Sequence, residues 1–148
     1  MTSRLPLAAI LTLTLTLAGP ALARATDRPA LTTTARALIA MPHERFVALA
    51  KAGAAPFDWS TDGCTATPVI WARTFAKPCR QHDFGYRNLG YGLRLSPTEA
   101  TRRWVDQRFH EEMRSVCDAS VRIIRRLTCR ARARLMWAAV RVANRAWH

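Results

Sequence analysis

Apolar residues recur at helical spacing in several separate stretches of this chain. They predict a short helix over residues 32–41 and a second helix that opens at Pro42 and ends at Gly53. Residues 55–78 contain prolines, aspartates and a glycine without a sustained period, and this composition predicts a loop. Helical spacing resumes over residues 79–89. The first half of the chain is therefore expected to be helical on both sides of one long irregular segment.

Two further helices are predicted in the second half. The stretch SPTE at residues 96–99 places a serine cap, a proline at the first helical position and a glutamate where a capping box needs one. We expect a long helix from there to about Cys117, with Asp106 at the edge of its apolar stripe. A last helical stretch covers residues 121–147. Alternating strand patterns are weak throughout, so the sequence predicts a small all-α domain.

The amino terminus has the composition of a targeting segment. Arg4 precedes an apolar run over residues 7–18, and an A-x-A triplet follows, which is typical of a cleavable secretory signal. A membrane-spanning helix needs about 20 apolar residues, so the shorter run favours a cleaved signal over an uncleaved anchor. We expect residues 1–23 to be removed and residues 24–148 to form one secreted domain, with a loose lead-in over residues 24–31.

The charge of the chain is strongly positive, with 23 basic and 10 acidic residues and a formal net charge of +13. Such an excess implies attraction to polyanions, and export together with the lack of a recognised nucleic-acid module favours anionic lipid surfaces over nucleic acid. Two interpretations fit the arginine-rich residues 121–147. The helix lies with Trp137, Val140 and Trp147 on an anionic bilayer, or it turns those residues to the core and its arginines to water.

Four cysteines are present, and an oxidising compartment favours disulfides over thiolate metal sites. Three pairings are possible, of which the simplest joins neighbours in the sequence, Cys64 with Cys79 and Cys117 with Cys129. An oxidised Cys79 cannot act as a thiolate ligand, which argues against a zinc site at Cys79-x-x-His82.

The candidate chemistry begins at His82, within the stretch CRQHDFGYRN at residues 79–88. Histidine titrates near neutral pH and is the most frequent general base in enzymes. Two antiparallel helices joined by a turn over residues 90–95 would bring Asp106 against its ring, where the carboxylate would fix the imidazole tautomer. A buried ion pair without a catalytic role fits the same spacing.

A second group of oxygen ligands is predicted beside this histidine. Adjacent helical positions point about 100° apart, so Asp83 cannot share the face of His82. Asp62 lies in the loop FDWSTDGCTATP, which the local disulfide would fasten near the same helix. Two carboxylates and loop carbonyls form a site suited to Ca²⁺. The alternative is that Asp58 and Asp62 only form turns.

These motifs carry a family resemblance. The stretch FDWSTDGC, followed by CRQHDFGYRN and then by an aspartate on a second helix, resembles the secreted bacterial phospholipase A2 family. The resemblance extends from about Phe57 to Cys129 and includes both cysteine pairs in order. It implies a disulfide-stapled helical domain in which two antiparallel helices carry a His–Asp dyad beside a calcium-binding loop. The implied activity is calcium-dependent hydrolysis of the sn-2 ester of glycerophospholipids, which releases lysophospholipid and free fatty acid.

The resemblance also implies roles for individual residues. His82 would be the base that activates a water, and Asp106 would orient it. Side-chain oxygens of Asp62 and Asp83, with the carbonyl oxygen of Gly63, would bind Ca²⁺.

The resemblance gives Tyr86 a place in the substrate pocket or against the lipid phosphate. The sequence departs from the family at Gly63, where a larger apolar residue is usual, and in its arginine-rich carboxyl-terminal part. A competing hypothesis makes the protein a non-enzymatic basic module that binds anionic membranes, but it leaves the two motifs unexplained. The sequence thus favours a monomeric secreted lipase that contacts anionic membranes peripherally.

Overall fold

All regular secondary structure in the described part of the protein is helical. A computed structural model describes residues 20–143 and Trp147. Over these residues it contains no strand, so the prediction of an all-α domain is confirmed. The elements are helix α1 (Pro20–Ala40), α2 (His43–Ala50), α3 (Val69–Gly85), a π-helical turn (Tyr86–Gly90), α4 (Glu99–Asp118) and α5 (Ile123–Val142).

The predicted signal, residues 1–23, lies outside the described residues except for its last four positions, which belong to α1. Among the helices that the structure describes, none is both long enough and apolar enough to cross a bilayer.

The first helix is longer than predicted, because residues 24–31 belong to α1 and are not a loose lead-in. Pro29 lies inside this helix. The three threonines that follow it are weak helix formers, but each donates its hydroxyl to the carbonyl four residues earlier. Residues 32–34 thereby remain helical, and the two predicted segments merge into one.

The predicted loop over residues 55–78 is also too long, because α3 already begins at Val69. Pro68 stands immediately before it. A second proline, Pro78, lies inside the helix, and Phe75 just before it has non-helical torsions of φ −108° and ψ 16°. This kink makes room for the proline ring, which would otherwise clash with the preceding turn.

Helix α4 begins two residues later than the SPTE pattern predicts. Its cap is Thr98, which has an extended backbone and whose hydroxyl oxygen accepts the N–H of Thr101 at 3.2 Å. Ser96 instead hydrogen-bonds the Thr101 hydroxyl at 2.8 Å. Either hydroxyl residue satisfies the chemistry of a cap, so the sequence alone cannot select between them.

The carboxyl-terminal helix ends at Val142, short of the predicted residue 147. Trp147 is fully buried and packs edge-on against Tyr86, with ring centroids 4.9 Å apart. Trp137 is partly buried and stacks on His110 at 5.1 Å. The interpretation that these tryptophans lie on a bilayer is therefore wrong, since both rings pack into the protein.

Two buried clusters hold the helices together. One joins α1, α2 and the end of α3 around Phe46, Phe84 and Trp147. The other joins α3, α4 and α5 around Phe109 and Met113. The structure contains the two local disulfides: Cys64–Cys79 fastens the loop before α3 to that helix, and Cys117–Cys129 fastens α4 to α5.

The end of α1 is closed by a side chain of α3. The carbonyl of Leu38 has no helical partner, because the residue four positions on is Pro42, which lacks an N–H. The buried amide of Gln81 donates to the carbonyls of Leu38, Ile39 and Met41 at 3.1, 3.0 and 2.8 Å. Gln81 thus supplies donors that the backbone cannot, and it ties α1 to the helix that carries His82.

We predict that Gln81→Met lowers the free energy of unfolding by about 1–3 kcal/mol, because it leaves buried carbonyls without donors in a side chain of similar volume. Urea denaturation followed by circular dichroism measures this. The control is Gln107→Met on the exposed face of α4, which should change stability by about 0.5 kcal/mol or less. An equal effect of both substitutions would contradict the capping role.

Candidate active site

The centre of the site is a contact between α3 and α4. Nε2 of His82 lies 3.0 Å from Oδ1 of Asp106. The two helices run in opposite directions, since His82 also stacks on Phe109 while Gly85, further along α3, faces Val105. A Cβ at Gly85 would lie only 2.6 Å from a Val105 methyl carbon, so glycine is what permits this close approach.

The Asp106 carboxylate is completely buried and has four donors. Its Oδ1 accepts from His82 and, at 2.8 Å, from the hydroxyl of Tyr86. Its Oδ2 accepts from Arg102 at 3.0 Å and from Arg141 at 3.3 Å. A buried carboxylate is stable only when it is paired and hydrogen-bonded, and these contacts meet that requirement.

The sequence reasoning missed both arginines. Arg102 could have been found, because it lies four residues before Asp106 and therefore on the same face of α4. Arg141 comes from α5, 35 positions away, and no local pattern connects it with Asp106. Only the packing of α5 on α4 brings it to the carboxylate.

The Tyr86 hydroxyl contacts the pair formed by His82 and Asp106, which we call the dyad. It donates to Asp106, and burial together with the nearby carboxylate raises its pKa well above the ordinary value, so it remains a donor at neutral pH. The Tyr86 ring lies beside the imidazole, with centroids 4.4 Å apart. Tyr86 and Phe109 thus enclose His82 from two sides, with the Phe109 ring 4.5 Å away.

A cavity of about 420 Å³ opens in front of this histidine. Nδ1 of His82 has no hydrogen-bond partner among the residues that the structure describes, and the ring lines the cavity. The walls come from loop 62–68, α3, the π-helical turn, α4 and α5, and they are mostly apolar. Its apolar lining includes Trp71, Phe109, Leu135, Met136 and Val140.

The polar end of the cavity contains the predicted metal-binding residues. Asp62, Gly63 and Asp83 all line it. Asp83 accepts the hydroxyl of Thr61 at 2.5 Å. Burial, and to a lesser degree the neighbouring Asp62, raises the pKa of Asp83 to about 6. A partly buried Asp83 carboxylate with a second carboxylate, Asp62, beside it favours a bound cation.

The donor set at this corner is compatible with a hard cation. Within the described ranges, no group of three or more His, Cys, Asp or Glu side chains could hold a metal, so carbonyl oxygens and water would have to complete the coordination. Gly63 has a φ of 71°, a backbone conformation that suits glycine. The guanidinium of Arg87 lies 3.9 Å from Asp62, a neighbour that the sequence reasoning did not identify.

The loop that carries Asp62 is fastened at both ends. Asn88, fully buried, bonds both backbone groups of Asp58 at 2.9 and 2.8 Å. The Cys64–Cys79 disulfide holds the other end. Asp58 itself accepts from the N–H and hydroxyl of Ser60, and the hydroxyl contact lowers its pKa. For Asp58 the turn-forming interpretation is therefore confirmed.

Comparison with known proteins identifies the family. A family model described as prokaryotic phospholipase A2 matches residues 34–144. This chain belongs to the prokaryotic phospholipase A2 family. The resemblance inferred from the two motifs is thereby confirmed.

Two relatives with similar sequences support the same family. The chain is 39% identical over 62 residues to a protein named secretory phospholipase A2 from Arthroderma benhamiae, which covers 40% of each chain. It is 34% identical over 86 residues to a protein of the same name from Beauveria bassiana, which covers 57% of this chain and 43% of the relative. The chain thus spans less than half the length of either relative.

For this phospholipase A2 family member, the structure brings the six sequence-predicted site residues to one place. Five of them line the cavity, and Asp106 lies behind the imidazole. Those five are Asp62, Gly63, His82, Asp83 and Tyr86.

We predict a pH-dependent contribution of Asp83 to stability in the presence of a chelator. The folded-state pKa of about 6 lies above the ordinary value of 3.8, so the folded protein holds this proton more tightly. Stability from the protonated form is fully present below pH 4 and is lost as pH rises through about 6. Urea unfolding should show the free energy of the wild type, relative to Asp83→Asn, falling over this interval. A difference that is constant with pH would contradict burial as the cause.

Proposed function

We propose that the protein is a secreted, calcium-dependent phospholipase A2 that hydrolyses the sn-2 ester of glycerophospholipids to lysophospholipid and free fatty acid. One observation carries the proposal: the imidazole of His82 lines a mostly apolar cavity with its Nδ1 unpartnered among the described residues, while its Nε2 contacts the buried, hydrogen-bonded Asp106. A base backed by a carboxylate is suited to activating water, and the apolar walls are suited to acyl chains.

The location of the protein is part of the proposal. Residues 1–23 would be removed as a signal, and residues 24–148 would form the secreted phospholipase A2 domain. The word "secretory" in the names of both relatives supports export. Two disulfides in a small domain support an oxidising compartment. The domain would act as a monomer at membrane or micelle surfaces.

The proton transfers follow from the dyad. With Asp106 accepting the N–H at Nε2, the neutral imidazole carries its lone pair on Nδ1, toward the cavity. Nδ1 takes a proton from a water, whose oxygen forms a bond to the ester carbonyl carbon. The imidazolium is stabilised by the Asp106 carboxylate. It then returns the proton to the alkoxide of the lysophospholipid as the ester C–O bond breaks.

The calcium ion has a defined place in this proposal. The side-chain oxygens of Asp62 and Asp83 and the carbonyl oxygen of Gly63 would hold it. When bound, the cation supplies positive charge that stabilises the negative charge developing on the ester carbonyl oxygen. Thr61 and Cys64, by their contacts with Asp83 and Cys79, keep the loop close to α3.

We predict that the purified protein releases fatty acid from a phospholipid labelled in its sn-2 chain when Ca²⁺ is present, and that a chelator abolishes the release. His82→Ala should lower the rate by about 10²- to 10⁴-fold, because the general base is lost. Chromatography of the labelled acid measures this. The matched control is His110→Ala, since His110 stacks on Trp137 and does not line the cavity.

The outcomes separate the two functions that the sequence suggests. Fatty-acid release that does not depend on Ca²⁺, or that persists in His82→Ala, would contradict the proposed chemistry. A correctly disulfide-bonded protein that binds anionic vesicles without hydrolysing them would be the basic membrane-binding module.

We also predict that no acyl-enzyme accumulates, because the attacking oxygen belongs to water and, among the described residues, no serine or free cysteine hydrogen-bonds His82. Of the four cysteines, all are in disulfides. Rapid acid quenching during turnover, followed by mass spectrometry of the intact protein, should show the unmodified mass alone. An increase equal to one acyl group would overturn the direct attack of water.

A further inference from the structure

The outward face of α5 is apolar. Exposed residues recur along it three or four positions apart, on the side opposite the buried Ala133 and Met136. We call this set the outer stripe. It consists of Ile124, Leu127, Thr128, Ala131, Leu135, Ala138 and Val142, and each is exposed.

The exposure of the large members is considerable. Ile124 is 68% exposed, Leu127 54%, Leu135 60% and Val142 83%. Single exposed apolar residues are ordinary on protein surfaces, but a continuous row over a helix of 20 residues is not. At 1.5 Å per residue the row is about 30 Å long. A helix that is apolar on its inner and its outer face is expected to be covered on both.

The charge beside the outer stripe is positive only. Residues 119–148 contain eight arginines and no Asp or Glu. By the helical rotation, Arg134 lies beyond one edge of the stripe and Arg125 beyond the other. Both are exposed, and neither forms an ion pair with an acidic side chain in the part of the chain that the structure describes. The surface therefore combines an apolar centre with cationic edges.

The outer stripe is continuous with the mouth of the cavity. Leu135 belongs to the stripe and also lines the cavity, and Ala139, one turn further along α5, lines the cavity beside it. Val69 and Ile70, which lie in the chain between the cavity-lining Pro68 and Trp71, are exposed too. Exposed apolar side chains therefore adjoin the cavity lining on α3 as well as on α5.

We propose that the outer stripe of α5 is the face with which the protein binds an anionic phospholipid bilayer. The apolar side chains enter the boundary between head groups and acyl chains, while Arg125 and Arg134 contact lipid phosphates. This orientation places the cavity mouth at the lipid surface. The significance for lipid hydrolysis rests on the proposed function, but the binding itself needs no catalysis.

Charge argues against a second copy of the chain as the occupant. Two stripes packed against each other would bring arginines of both copies together, and α5 contributes no carboxylate to pair with them. An anionic bilayer supplies both the apolar layer and the negative charge.

The binding test measures co-sedimentation with phosphatidylglycerol vesicles in the presence of a chelator, so that no lipid is hydrolysed. Ile124→Gln combined with Leu127→Gln should weaken partitioning by roughly tenfold or more, because two inserted side chains lose their apolar contact. The single variants Leu127→Gln and Leu49→Gln form a matched pair, since Leu49 is a similarly exposed leucine on α2. Only the α5 variant should bind more weakly, and phosphatidylcholine vesicles should bind all forms poorly.

Activity assays separate this proposal from the proposed function. In Ca²⁺, the double variant should hydrolyse a monomeric short-chain phospholipid at the wild-type rate and phosphatidylglycerol vesicles roughly tenfold more slowly, in line with its binding. A wild type that binds vesicles through the stripe but hydrolyses neither substrate would overturn the proposed function alone.

Two results would overturn the proposal about α5. The first is vesicle binding by the double variant equal to that of the wild type. The second is a wild-type dimer in sedimentation equilibrium that the double variant dissociates, because the stripe would then be a subunit interface.

Discussion

A carboxylate without any contact with water determines how this domain is assembled. Asp106 can be buried only because α3 supplies an imidazole, the π-helical turn a phenol, and α4 and α5 one guanidinium each. Removing any of these elements would leave a buried charge with too few donors, at a cost of several kcal/mol. The same contacts that make the burial possible also orient His82. In this protein, therefore, the requirement for stability and the geometry of the proposed base have one physical origin.

The corner proposed to bind calcium depends on a different kind of constraint. Asp62 lies on an irregular segment, which has no ladder of backbone hydrogen bonds to hold it. Its position is set by the disulfide at Cys64 and by the amide of Asn88, both attached to the α3 region. A disulfide and side-chain hydrogen bonds thus hold this segment in place of regular structure, and they leave the loop carbonyls that the proposal assigns to calcium outside any backbone ladder. Burial, more than the neighbouring Asp62, raises the pKa of Asp83 at this corner.

The sequence was sufficient for the helical class and for predicting that the candidate site residues lie close together, because both are encoded locally. CRQHDFGYRN places His82, Asp83 and Tyr86 by helical rotation, and the stripe on α4 places Asp106 toward the same side. The sequence did not predict contacts that depend on the packing of segments far apart in the chain. The kink at Phe75 accommodates Pro78 inside a helix, although a proline ordinarily indicates a boundary. Arg141 reaches Asp106, and Trp147 reaches Tyr86, only through the docking of α5 and the residues after it, and no periodicity predicts either contact.

The contact of Arg141 with Asp106 has a consequence for the order in which the protein is made. Helix α5 follows every other described helix in the chain, so it leaves the ribosome after them. Until it docks, Oδ2 of Asp106 lacks one of its two cations, and the disulfide that fastens α5 to α4 forms only in an oxidising compartment. The full set of donors on Asp106 is therefore completed last, once α5 has docked. Under the proposed export, a producing cell would carry the chain across its membrane before this disulfide fastens α5 to α4.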